Sequence, residues 1–102
     1  RFIPDSMRIF EEEILSQLPD HYTSQQALIK DIAKVHGELL FIHPFREGNG
    51  RTFRILANLM ARKQGYPGLN FKRIDFNEYI IAVQQVARKD YSRMERIIAY
   101  TF

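Results

Sequence analysis

Residues 43–54, "HPFREGNGRTFR", place a histidine, a carboxylate, two glycines around an asparagine, and arginines at 46, 51 and 54 side by side. Each type has a chemical use. His43, if unperturbed, titrates near neutral pH and can take a proton from an incoming hydroxyl. Gly48 and Gly50 carry no Cβ, so a ligand can approach the backbone closely there. "EGNG" runs directly into a helical pattern, so the unpaired N–H groups of a first helical turn face this loop, an arrangement that attracts phosphates. Arg51 and Arg54 occupy neighbouring positions at the start of that helix, and their planar guanidiniums suit phosphate oxygens. Glu47 would repel an anion. A divalent cation removes the conflict, because magnesium is commonly held by one or two carboxylates together with substrate phosphates. Base, metal carboxylate, anion loop and arginines make up an inventory for phosphate transfer. The motif is not a Walker loop, since no G-x-x-x-x-G-K-[ST] occurs. The plainer alternative is that "NG" marks a turn and the glycines only let the chain reverse between two helices.

The elements that must position these residues read as helices. Pro4 and Asp5 open a first one, with Met7, Ile9, Phe10, Ile14 and Leu15, ending before Pro19. Thr23 or Ser24 can cap a second, in which Leu28, Ile32, Val35 and Leu39 form one apolar stripe. Pro44 should end it near His43. A third helix follows from Arg51, with Phe53, Leu56, Ala57 and Met60 on one side. Arg62 and Lys63 suit the negative end of its dipole, Gly65 suits the C′ position, and Pro67 blocks continuation. Asp75 with Glu78 makes a capping-box-like start for a fourth helix. Asp90 or Ser92 can open a fifth. No useful period-2 alternation or repeat appears, so the expected fold class is all-α.

Bulk composition limits the function further. The 102 residues suffice for one domain, or a piece of one, and 45% hydrophobic content supports a small core. The net charge of +3 allows an anionic ligand without arguing for a nucleic-acid surface. Absence of cysteine excludes disulfides and thiolate chemistry. No stretch of about 18 apolar residues predicts a membrane span, and no signal-peptide pattern opens the chain. A cytoplasmic location is expected. The ends, "RFIP" and "YTF", look cut from something longer.

The motif resembles the signature of the Fic family, H-x-F-x-[DE]-G-N-G-R-x-x-R, at every specified position. "KVHGELLFIHPF", "RILANLMARKQGYP" and "KDYSRMERII" are similar to the family's flanking and closing helices. The resemblance therefore implies a compact Fic core over residues 1–102, its catalytic loop lying between the two central helices. It also implies transfer of AMP from ATP to a Tyr, Ser or Thr hydroxyl of a target protein. His43 would be the general base, and Phe45 a buried anchor of the loop. Glu47 would hold Mg²⁺. Gly48, Asn49 and Gly50 would form the anion hole. Arg51 would support the phosphates and Arg54 would reach the terminal one. Tyr79 and Gln84 would help line an adenine pocket, as that region does in relatives. Arg1 to Pro4 resemble the end of the target-aligning flap, which would lie mostly upstream. The inhibitory pattern [ST]-x-x-x-E-[GN] is not found; Ser92 is followed by Glu95 one position too early. The resemblance leaves three alternatives for the inhibitory helix: it lies in a missing segment, it belongs to an antitoxin-like partner chain, or it does not exist.

Other features are weighed against this. His36, two turns before His43, reads as a packing residue, and no H-E-x-x-H metal pair exists. The run Glu11 to Glu13 reads as a solvated face, and Arg88 to Asp90 as a surface turn. Rival functions on the same scaffold are transfer of phosphocholine or phosphate, or removal of AMP. Gly50 argues against the phosphorylating Doc-type relatives, which carry lysine there. A helix-turn-helix DNA reader is the non-enzyme rival, but it would want base-contacting side chains where Glu47 and the glycines stand.

Overall fold

The computed structural model describes residues 16, 18–42 and 49–102, with Asn49 and Gly50 as backbone alone. The helix expected between Pro4 and Pro19 falls outside these residues except for Ser16 and Leu18, and the segment from His43 to Gly48 falls outside as well. Among these residues there are four α-helices: α1 (Gln25–Ile42), α2 (Asn49–Lys63), α3 (Phe76–Val86) and α4 (Ser92–Thr101). The described residues include no strand. None of their helices is long and apolar enough to cross a membrane. The fold is all-α.

Local chemistry explains the boundaries. The Ser24 hydroxyl accepts the Ala27 N–H at 3.1 Å, capping α1. α1 is described as far as Ile42, and the proline expected to end it, Pro44, lies outside the described residues. α2 begins two residues earlier than the sequence pattern suggests, so Asn49 and Gly50 belong to its first turn and not to the loop. Helix ends tolerate such residues because a first turn needs no i−4 partner. At the other end Gly65 adopts φ +92°. Its N–H donates to Arg62 O at 2.9 Å and the Tyr66 N–H donates to Ala61 O at 3.1 Å, the paired bonds of a Schellman motif. Asp75 caps α3, its carboxylate accepting the Glu78 N–H at 3.1 Å. The turn before α4 is closed by Asp90, which accepts both the N–H and the hydroxyl of Ser92, at 3.1 and 2.6 Å.

α1 is the central element. It packs against α2, α3 and α4, while α3 and α4 also pack on each other. The stripe Leu28, Ile32, Val35 and Leu39 is buried, as its spacing predicts: Leu28 and Ile32 share one cluster with Ala57, Ala61, Ala82, Met94 and Ile98, while Val35 and Leu39 form a second with Phe53, Leu56 and Met60 packed against it. From Val35 to Leu40 every residue of α1 is buried, including His36, Gly37 and Glu38. Gly37 is where another helix end comes closest. A Cβ placed there would stand 2.9 Å from Cγ2 of Val86, itself fully buried and β-branched. Val86 has little room to retreat. The Gly37→Val variant is therefore expected to lose roughly 1–3 kcal/mol of stability through overpacking. Urea denaturation monitored by circular dichroism checks this, and an unchanged midpoint would show that the α1–α3 contact is looser than drawn here.

Candidate active site

The start of α2, a short 3₁₀ turn at Phe71–Arg73 and the start of α3 surround a cleft of about 560 Å³. Arg51, Arg54, Ile55 and Asn58 line it from α2, Leu69 to Lys72 from the 3₁₀ segment, and Ile74, Phe76 and Tyr79 from the α3 side. Among these described lining residues there are three cations, Arg51, Arg54 and Lys72, and no carboxylate. The rest of the wall is largely apolar and aromatic, with Phe76 61% exposed. The cleft is of ordinary size for a small-molecule site, which spans roughly 300–1,000 Å³. A polyanion with an apolar end matches both halves of such a lining.

Asn58 holds two walls together. Its amide N–H donates to Arg54 O at 3.0 Å, while its Oδ1 accepts the Leu69 N–H at 2.6 Å. Gly68 precedes this contact with φ +134°, and a Cβ there would press to 3.2 Å on the same Oδ1. The 3₁₀ turn is then fixed from behind. The Asn70 N–H donates to Thr101 O at 2.9 Å, Asn70 Oδ1 accepts the Lys72 N–H at 3.2 Å, and Arg73 donates to Tyr100 O at 3.3 Å.

Beneath the cleft lies a polar pair. His36, 1% exposed, hydrogen-bonds through Nε2 to the Tyr79 hydroxyl, and Tyr79 is 4% exposed. The His36 ring stacks on Tyr79 at 5.7 Å and leans on Phe71 at 5.3 Å between centroids. Arg54 lines the same cleft as Tyr79, from α2. Burial drives the His36 pKa down to about 4, the Phe53 backbone offsets this slightly, and the Arg54 charge adds to the depression. Burial likewise pushes the Tyr79 hydroxyl far above its usual range, although the Arg54 charge pulls the other way. At Nδ1, His36 meets no partner of full hydrogen-bond geometry among the described residues.

The residues expected to do chemistry are thus distributed as follows. Arg51 and Arg54 stand together in the cleft wall, and the backbone of Asn49 and Gly50 forms the helix start beside them. His43, Phe45, Glu47 and Gly48 lie outside the described residues. Tyr79 lines the cleft, but Gln84 is exposed and is not part of that lining. Five helical residues turn through 500°, leaving the two side chains about 140° apart on α3, so one cleft cannot take both. Lys72, Asn58, Phe71 and Phe76 were not singled out by spacing.

The sequence profile of the Fic/DOC family matches residues 2–61. The chain is similar to proteins named protein adenylyltransferase Fic from Aedes aegypti, 34% identical over 93 residues, and from Nematostella vectensis, 31% identical over 93 residues. These alignments cover 83% and 91% of this chain but 19% and 21% of those relatives. A protein adenylyltransferase fic-1 of Caenorhabditis elegans is 39% identical over 70 residues, 66% of this chain and 14% of that protein. No solved structure matches the chain. The chain belongs to the Fic/DOC family, and it spans about a fifth or less of the length of these curated relatives.

The depressed His36 pKa has a stability consequence. An unfolded histidine gains its proton near pH 6.5, whereas the folded ring resists it until about pH 4. The unfolded chain therefore binds more protons between these values. The contribution is fully present above about pH 6.5 and is lost as pH falls through 4. Denaturant-derived stability should drop by at most about 1.4 kcal/mol per pH unit in that window from this group. Nuclear magnetic resonance titration of the His36 ring should place its midpoint well below 6.5, near pH 4, and a midpoint at the ordinary histidine value would show that the ring is not held in a buried, desolvated site.

Proposed function

We propose that this chain carries the nucleotide-binding and catalytic core of a protein adenylyltransferase, moving AMP from ATP to a tyrosine, serine or threonine hydroxyl of a target protein. The observation that supports this best is the cationic cleft at the α2 N-terminus, where Arg51 and Arg54 of the family motif meet Lys72 with no described carboxylate beside them. Amides of the first helical turn and three cations suit a polyphosphate. The apolar wall of Ile55, Phe71, Ile74 and Phe76 suits a purine ring.

In this proposal His43 takes the proton from the target hydroxyl. The hydroxyl oxygen forms a bond to the α-phosphorus, the bond from that phosphorus to the bridging oxygen breaks, and pyrophosphate leaves with the electron pair. Gly48, Asn49 and Gly50 receive the phosphates on their backbone N–H groups, Arg51 steadies them, and Arg54 holds the terminal phosphate so that attack is in line. Phe45 anchors the loop. Positioning and charge stabilisation are the main means by which such transfers are accelerated. Magnesium would be held by Glu47 together with the phosphates and would neutralise their charge.

The His43→Ala variant should lose transfer by about 10²–10⁴-fold, the usual worth of a general base, yet still bind Mg·ATP in calorimetry. Glu47→Ala should remove the magnesium dependence of ATP affinity. Incubation with ATP labelled at the α- or γ-phosphate decides the group moved: label should reach protein from the α position, and transfer from the γ position alone would mean phosphorylation. Calorimetry that detects no binding of Mg·ATP to the folded chain would overturn the proposal.

A further inference from the structure

We infer that His36 is a positioning residue for the base-binding half of the cleft: from the buried middle of α1 it holds Tyr79 by a hydrogen bond and Phe71 by ring contact, and so fixes where these two lining aromatics stand. The inference rests on the nucleotide-binding reading proposed above for this cleft.

Phe71 and Tyr79 both line the cleft, but they belong to different segments, the 3₁₀ turn and α3. His36 is common to both. Its Nε2 is hydrogen-bonded to the Tyr79 hydroxyl, and the two rings lie nearly parallel, 13° apart in tilt with centroids at 5.7 Å. The Phe71 ring leans on the same imidazole at 40°, with centroids 5.3 Å apart. The support beneath is firm, because every residue of α1 from Val35 to Leu40 is buried.

Packing alone does not call for a histidine. His36 Nδ1 is buried with no hydrogen-bond partner among the described residues, a cost that an apolar side chain would avoid. What the imidazole adds is direction. Apolar contact is non-directional and tolerates sliding, whereas a hydrogen bond weakens steeply outside a narrow range of distance and angle. Tyr79 is itself almost fully buried, so its hydroxyl has little access to water and depends on partners inside the protein. Tied at the hydroxyl, its ring cannot swing into the cleft. Phe71 then rests against an imidazole that cannot give way. A purine lying on this wall meets a surface whose shape is already set, so ordering the two rings is no part of the cost of binding. A smaller pyrimidine ring would cover less of the same wall.

The test compares Mg·ATP with Mg·CTP, which share a triphosphate and differ in the base. Titration calorimetry is run with both on the whole chain and on the His36→Leu, His36→Gln, Tyr79→Phe and Arg54→Ala variants, with thermal melts alongside. The unaltered chain should prefer ATP. Tyr79→Phe keeps both rings and removes one bond. It should weaken ATP by about threefold to tenfold, the worth of one net hydrogen bond, and CTP by less than about twofold. His36→Leu should do at least as much, and adding Tyr79→Phe to it should change nothing further. His36→Gln, whose amide can pair with the Tyr79 hydroxyl, should recover part of the preference. Arg54→Ala should weaken both nucleotides alike and leave their ratio unchanged. A merely structural role for His36 would lower the melting temperature without moving that ratio. Should His36→Leu fail to fold, Tyr79→Phe decides alone. A ratio unchanged in Tyr79→Phe, or no preference in the unaltered chain, would overturn the inference while leaving the phosphate site in place. Failure of the unaltered chain to bind either nucleotide would overturn the nucleotide-binding reading, and this inference with it.

Discussion

A helix buried on every side can neither roll nor slide without opening the core, and the second half of α1 is in that position. Val35 to Leu40 are all buried, with α2, α3 and α4 packed around them. The chain leaving α1 after Ile42 therefore starts from a fixed point, and the residues of the motif follow directly. Six buried positions in a row also force two polar side chains inside. Glu38 accepts hydrogen bonds from Lys89, at 2.9 Å, and from the Tyr91 hydroxyl. Burial and the Glu38 carboxylate together push the Tyr91 hydroxyl well above its usual pKa. Removing one partner from a buried charge is far more costly than the pair is stabilising, so Glu38 ties the turn between α3 and α4 firmly to α1. Lys89 reaches this bond from a backbone of φ +60°, unusual for a residue with a side chain. His36 is the second polar intruder, and Tyr79 answers it.

Much of the framework was legible in the chain itself, because helical periodicity and end signals are local. Leu28, Ile32, Val35 and Leu39 announced the buried face of α1; Ser24, Gly65 and Asp75 announced helix ends that hydrogen bonds then occupy. The pairing of Arg51 with Arg54 at one helix start was equally readable from their spacing. What escaped is non-local or too short to have a period. Three residues of 3₁₀ turn carry no repeat, so Lys72 and Phe71 gave no sign of facing α2. The partner of His36 is 43 residues away, so a packing role was the natural reading of a lone histidine on an apolar face. Gln84 is exposed on a different flank of α3 from Tyr79 and is not among the described lining of this cleft.

The electrostatic character of the site follows from how its walls are drawn together. Arg51 and Arg54 come from a helix start, where backbone dipoles already favour negative charge, and Lys72 comes from a turn that Asn58 pins against the same helix. The three cations repel one another until an anion enters. A cleft of this kind is complementary to its ligand's charge before the ligand arrives, and part of the reorganisation that water would otherwise require is already complete.

The 3₁₀ turn bearing Lys72 hangs from the last residues of α4, through the Asn70 bond to Thr101 and the Arg73 bond to Tyr100. Helix termini are the parts of a fold that open most easily under thermal agitation. Each transient unravelling of that final turn would release one bank of the cleft and let its width fluctuate. The width of the cleft is thereby tied to the order of a helix tip.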